Sequence, residues 1–310
     1  MVTAVSARPT VVRRSVAAPR RQAPKWMQRI TGTLSFCAPS VATRLLAYLF
    51  TRPRRQKLPR HERDWLLAAR ARPIRLSTGE LVPLYEWRDQ APGQGVLDDA
   101  PLPTVLLVHG FGGRAGQMAG FAAPLVAAGY RVVAFDAPAH GAAAGRRSSL
   151  PEMRLTVQEV AAQLGPLAGV VAHSNGAAAV LVALSRGMQA QRLAFLAPMP
   201  DVEGFLQRLA AQLGFSQRVA KATQQRIEAR YGLPFSALKA VNLLPQLSQT
   251  ALILQDHDDP IVPLAEIEDL AQHWPGARLQ VTRGLGHNRL LRDAASIAGV
   301  VSYLGAPQQP

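Results

Sequence analysis

The feature that most constrains this chain is a series of short, unbroken apolar runs: TVLLVHG (104–110), YRVVAFD (130–136), AGVVAHS (168–174), RLAFLAP (192–198), TALILQD (250–256) and ARLQVTR (277–283). Each is of strand length and apolar at consecutive positions, so both of its faces need cover. That requirement suits a parallel sheet with helices on each side. Helical patterning fills the intervals, at 115–128, 150–164, 176–187, 264–273 and 293–304. The alternation predicts a doubly wound α/β domain, whose ligands bind beyond the carboxyl ends of the strands.

Upstream, LVPLYEW (81–87) alternates like a half-exposed strand, and RDQAPGQGVLDDAPLP (88–103) reads as a loop. One interval breaks the rhythm. VEGFLQRLAAQL (202–213) and SQRVAKATQQRIEARYG (216–232) lie in a stretch far longer than an ordinary crossover, which predicts a helical cap inserted at about residues 200–248.

Charge divides the chain differently. Residues 1–60 hold 13 of the 35 Lys and Arg and no acidic residue, whereas the remainder sets 22 cations against all 20 carboxylates. The body is thus nearly neutral, and the net charge of +15 belongs to the N-terminal part. Residues 1–33 lack a sustained apolar face and are expected to form a disordered basic arm. The paired arginines at 13 and 14 precede no signal-length apolar run, which argues against secretion. An Arg-rich, acid-free start also resembles a transit peptide.

Residues 34–72 read as a helical segment with a basic linker. LSFCAPSVATRLLAYLF (34–50) is too short and too interrupted to span a bilayer. Followed by TRPRRQK, residues 34–60 could instead lie on an anionic membrane surface, or pack on the body with a solvated linker after them. The body is expected at 73–304, with a short tail at 305–310. At 310 residues and 48% hydrophobic it can bury one large core. The single Cys37 excludes an internal disulfide and a cysteine-built zinc site, and fits a reducing compartment. A cytoplasmic location is expected, with membrane association at the inner surface as the alternative. The body carries no nucleic-acid motif, so arm binding to nucleic acid would be nonspecific. No nucleotide, cofactor or metal motif is present.

Polar motifs follow the strands at their carboxyl ends: HGFGG (109–113), APAHG (137–141), HSNGA (173–177), DHDDPIVP (256–263) and GLGHN (284–288). Polar residues gathered on one rim of a parallel sheet point to a site. Here residues 73–304 resemble the α/β-hydrolase fold superfamily, of serine hydrolase or esterase type. The resemblance implies a mostly parallel sheet of about eight strands with a small helical cap. It also implies that Ala172-His173-Ser174-Asn175-Gly176 is a nucleophile elbow, with alanine where the family often has glycine. The family order of nucleophile, acid and histidine then falls on Ser174, Asp259 and His287, since Asp259 opens DPIVP; Asp258 is the reserve acid.

In that scheme His287 accepts the serine proton and Asp259 fixes the imidazole tautomer. Asn175 and Phe111 offer backbone N–H groups to the oxyanion, and Gly110 and Gly112 let the backbone approach the substrate. Gly110, Gly112, His173 and Phe205 are candidate substrate-binding positions. His109 and His173 also read as packing or supporting residues, and Asp136 and His140 as shaping a turn. Met118, Phe121, Met199 and Leu206 could line a pocket or belong to the core. Taken singly, Ser174 could be a helix N-cap, His287 a surface histidine and Asp259 a turn residue. The expected reaction is acyl transfer from a small-molecule ester or thioester to water. The alternatives are transfer to an alcohol, amine or peroxide, as in an acyltransferase or perhydrolase, and a non-catalytic binding protein on the same fold.

Overall fold

The computed structural model describes residues 23–88 and 102–305. Eight strands form one sheet: β1 (Arg70–Arg75), β2 (Leu81–Trp87), β3 (Thr104–Val108), β4 (Arg131–Phe135), β5 (Leu167–His173), β6 (Ala190–Leu196), β7 (Ala251–Asp256) and β8 (Arg278–Thr282). Their spatial order is β1-β2-β4-β3-β5-β6-β7-β8. β1 and β2 pair antiparallel, β2 pairs antiparallel with β4, and every other pairing is parallel.

The continuous apolar runs are explained by two separate cores. Leu106, Val108, Val133, Phe135, Val170, Ala172, Leu193, Phe195 and Ile253 face one core; their neighbours Val105, Leu107, Val132, Ala134, Val171, Ala194 and Leu254 face the other. A strand with period-two geometry buried on both sides has no polar position to spare. The exception is β8. ARLQVTR reads as a buried run, yet β8 is the sheet edge and most of its side chains are exposed or half-buried, including Val281.

The helices are α1 (Lys25–Cys37), α2 (Pro39–Thr51), α3 (Arg60–Leu67), α4 (Ala115–Met118), α5 (Ala122–Ala127), α6 (Leu150–Leu164), α7 (Asn175–Leu184), α8 (Val202–Leu213), α9 (Gln217–Tyr231), α10 (Ala240–Leu243), α11 (Leu264–Gln272), α12 (Gly286–Arg289) and α13 (Ala294–Gly305). Residues of α6, α7 and α11 join the first core, and those of α4, α5 and α13 the second. Met118 and Phe121 belong to the second core, and Met199 and Leu206 to the first.

Between β6 and β7 stand α8, α9 and α10. Asp201 caps α8 by accepting from Gly204 N at 3.0 Å, and Ser216 caps α9 by accepting from Val219 N at 3.3 Å. Gly214 at φ 83° ends α8 in the left-handed region, where a side chain would strike the Gln28 backbone 2.6 Å away. The sequence expectation for the N-terminus needs correction here. Residues 1–22 lie outside those described, but 23–33 are not a disordered arm: α1 begins at Lys25 and packs on the end of α8, while α2 packs along α9. Phe50 of α2 lies 6.0 Å from Phe205 and 6.3 Å from Phe235, so N-terminal and inserted helices share one helical layer. The first strand also starts earlier than 73, at Arg70. Most of the loop expected at 88–103, and residues 306–310 of the tail, fall outside the described residues.

The basic linker is not free either. Thr51 O accepts from Ser148 N at 2.9 Å, and Arg55 donates to the carbonyls of Ala139, Ala143 and Gly145. In α3, Glu62 forms a buried two-pronged ion pair with Arg114 at the end of HGFGGR. Residues 51–62 therefore strap the loops after β3 and β4. Among the described residues no helix is long and apolar enough to cross a membrane.

Candidate active site

Ser174 sits where β5 turns into α7. Its φ of 52° and ψ of −123° belong to a region that L-residues rarely occupy. The backbone is fixed on three sides: Ser174 N donates to Leu196 O, and Ser174 O accepts from Ala177 N and Met199 N. Close approach explains the small neighbours. A Cβ on Gly176 would lie 2.3 Å from His109 O, and one on Gly110 would lie 2.9 Å from the Ser174 Cβ. Ala172 is fully buried between β3 and β6, where a methyl is tolerated.

The serine occupies the N-cap position of α7, yet its side chain makes no capping hydrogen bond. The helix-cap reading therefore fails. The Oγ instead stands 3.0 Å from His287 Nε2, and His287 Nδ1 stands 2.7 Å from Asp259 Oδ2. All three residues are buried to about the same degree. Asp259 Oδ1 accepts from Ile261 N at 2.7 Å and Val262 N at 3.1 Å, and Gln255 Nε2 donates to Oδ2 at 3.3 Å. Burial pushes the Asp259 carboxyl up. The His287 hydrogen bond and charge, with the two backbone donors, outweigh it and hold the group below the usual carboxylate range.

Asp258, the reserve acid, points elsewhere: Oδ1 meets His257 Nδ1 at 3.1 Å and Oδ2 accepts from Gly284 N at 2.9 Å. Asp256 is a clamp, accepting from Asp258 N, Thr282 Oγ1 and Leu285 N, which ties the end of β7 to the turn that carries His287.

His173 is not where the substrate-binding expectation put it. It is buried, and its Nε2–H donates to the His287 carbonyl at 3.0 Å, so it supports the histidine backbone from behind. Burial drives its pKa down to about 3. His109 donates from Nδ1 to Gly110 O at 2.8 Å and accepts at Nε2 from Ala137 N at 3.1 Å, which joins the loops after β3 and β4. Burial lowers His109 to about 4, and His140, which donates from Nδ1 to Pro138 O, to about 3. All three rings are neutral at ordinary pH. Asp136 shapes the turn after β4, accepting from Ala115 N at 2.7 Å and Ala142 N at 2.8 Å.

Phe111 is partly exposed, with its ring edge-on to His140 at 5.4 Å. Neither Phe111 N nor Asn175 N, the latter at the first position of α7, has an acceptor among the described residues. A Cβ added to Gly112, at φ 73°, would lie 3.8 Å from Arg54 O, so the strap passes over the loop there. Phe205 belongs to the aromatic group with Phe50. Sequence reasoning missed Glu62, Arg114 and Arg55, and it read His173 as a supporting residue without finding its partner. Each acts through a partner 50 or more residues away, a relation that leaves no local pattern.

This sheet order and the strand-end placement of the polar loops define an α/β-hydrolase-fold protein. The model of the family described as serine aminopeptidase, S33, matches residues 99–230, from the approach to β3 as far as α9. The solved structures it is similar to include an esterase of Pyrococcus furiosus, Pf2001, at 18% identity and a TM-score of 0.59, covering 82% of this chain and 94% of that one. A putative lipase of Acinetobacter baumannii matches at 16% identity and a TM-score of 0.59, covering 81% and 97%. A thioesterase domain from the curacin biosynthetic pathway matches at 19% identity and a TM-score of 0.54, covering 77% and 100%. At such identities the likeness establishes the fold. A comparison with curated protein sequences finds no match.

Proposed function

We propose that the protein is a serine hydrolase that cleaves an uncharged carboxylic ester or thioester through an acyl-enzyme. The observation that carries this reading is the unbroken series Ser174 Oγ, His287 Nε2, His287 Nδ1, Asp259 Oδ2, at 3.0 and 2.7 Å, built on a strained serine backbone. With Nδ1–H donated to a carboxylate, Nε2 is left as the acceptor facing the hydroxyl. His287 then takes the serine proton as Oγ attacks the acyl carbon and returns it to the departing alcohol or thiol. Asp259 stabilises the imidazolium formed at that moment, for which an acid held below its ordinary pKa is suited.

The tetrahedral oxygen needs donors. The unengaged N–H groups of Asn175 and Phe111 fit that role, and loss of one such donor typically raises the barrier by about 3 kcal/mol. Water then attacks the acyl group by the reverse proton path. The names of the neighbours, esterase, lipase and thioesterase, favour esters and thioesters over amides.

The test is labelling by a fluorophosphonate probe, together with a panel of p-nitrophenyl esters of graded chain length. Wild type is expected to be labelled and to turn over part of the panel, while Ser174→Ala does neither. No labelling of a folded preparation, or labelling that survives Ser174→Ala, would overturn the proposal.

A further inference from the structure

The N-terminal helix α1 is inverted. Its buried positions are Thr31 and Ser35, while Trp26 is 63%, Ile30 59% and Phe36 89% exposed. Apart from Leu34, which packs against the first core, the inward face is polar because it serves the end of α8: Gln28 Nε2 donates to Gln212 O at 3.2 Å, Thr31 Oγ1 donates to Leu213 O, and Ser35 Oγ accepts from Ser216 N at 3.3 Å. These carbonyls are among those a helix end leaves without partners. The requirement explains what α1 buries. It gives no reason for what α1 exposes.

The outward face continues onto α2. Val41 and Tyr48 are also exposed on the side away from the buried Ala42 and Leu46, and Leu45 and Leu49 are partly exposed at the border of the buried face. Two consecutive helices thus present bulky apolar side chains to solvent, a patch of the kind that marks an interaction surface. The two helices and the segment after them carry charge of one sign. Lys25, Arg29 and Arg44 on the helices and Arg54 and Lys57 after them are exposed, and Arg52 lies over the Tyr48 ring at 4.1 Å. No carboxylate occurs before Glu62, and residues 1–22, outside those described, add five arginines.

We propose that the outer face of α1 and α2 docks onto an anionic bilayer surface, with its apolar residues entering the headgroup boundary and its cations pairing with lipid phosphates. Charge selects this occupant. A second copy on the same face would set one acid-free cationic surface against another, whereas anionic lipid complements both features at once. The strap that follows α2 passes over Gly112, in the loop carrying Phe111, so the docking helices are joined in sequence to the cover of that loop. The inference stands on the surface alone and does not depend on the chemistry assigned to Ser174.

Co-sedimentation of the full chain with phosphatidylcholine vesicles, with and without about one third phosphatidylglycerol, tests it. Wild type and Ser174→Ala are both expected to pellet with the anionic vesicles, less so as salt rises. Ile30→Ser/Phe36→Ser/Leu45→Ser keeps every cation and should bind about tenfold or more weakly. Lys25→Gln/Arg29→Gln/Arg44→Gln keeps the apolar face and should lose the preference for anionic lipid. Unchanged far-UV circular dichroism in each variant, and in wild type a blue shift of the emission that Trp26→Phe removes, separate docking from misfolding. Wild type that ignores anionic vesicles, or an apolar-face variant that binds as wild type does, would overturn the proposal. So would a concentration-dependent dimer abolished by the same apolar-face variant.

Discussion

The backbone at Ser174 makes a prediction opposite in sign to the usual effect of glycine. At φ 52° and ψ −123° a residue with a Cβ is strained, whereas glycine is not. Such strain costs about 1–3 kcal/mol, and it persists in Ser174→Ala, because alanine keeps the Cβ. Ser174→Gly relieves it but frees the unfolded chain, which costs about 0.5–1 kcal/mol. Both variants lose the Oγ contact with His287, so that contribution cancels between them. Ser174→Gly is therefore expected to be more stable than Ser174→Ala by about 1–2 kcal/mol, or roughly 2–4 °C in Tm. Both should be inactive on esters. Urea unfolding and calorimetry of the pair measure the difference. Ala162→Gly, on the exposed face of α6, is the control, and the same Ala-to-Gly difference there should cost about 1 kcal/mol. A Ser174→Gly protein that melts at or below Ser174→Ala would refute the claim that the turn stores strain.

Three further outcomes follow from the same geometry. Asp259→Asn should lower kcat by about four orders of magnitude, because an amide leaves the His287 tautomer unspecified, whereas Asp258→Asn should retain most activity; the reverse pattern in ester turnover would move the acid. Acid should unfold the protein early. His109, His140 and His173, at about 4, 3 and 3, lie below the ordinary histidine value, so below pH ~6.5 the unfolded chain binds protons that the folded one refuses. Stability is then fully present above that pH and falls with acidification, at up to about 4 kcal/mol per pH unit near pH 5; a flat urea midpoint from pH 7 to 5 would contradict it. Finally, Glu62→Gln leaves the buried Arg114 cation without its counter-charge and should cost about 3–5 kcal/mol. Glu203→Gln, on the surface of α8, should cost little by the same melting assay.

What the sequence made legible were features that repeat or cluster. Runs such as TVLLV and VVAF are apolar at successive positions because both cores claim them, so the sheet could be read directly. The strand-end motifs placed Ser174, Asp259 and His287 on one rim before any geometry was available. Long-range pairings were silent. Nothing in GRAGQM tells that Arg114 meets Glu62, and nothing in VVAHSNG tells that His173 holds the His287 carbonyl. The choice between Asp258 and Asp259 rested on the DPIVP resemblance alone, since adjacent carboxylates differ only in where the turn aims them. Helix α1 escaped detection because amphipathic reading assumes apolar side chains turn inward, while its inner face is spent on the carbonyls of α8.

The capping expectation at Ser174 failed for a reason that bears on the site itself. An N-cap side chain reaches the second or third N–H of its helix from an extended backbone. At φ 52° the Cα–Cβ bond leaves in another direction, and the Oγ meets His287 instead. The sharp turn that denies α7 its cap also brings Gly176 against His109 O and Gly110 against the serine Cβ, which is why neither glycine has room for a side chain. Strain, close packing and the aim of the hydroxyl are thus one property of the turn. A substitution that relaxed the backbone while keeping a serine would be expected to restore the cap and lose the contact with His287.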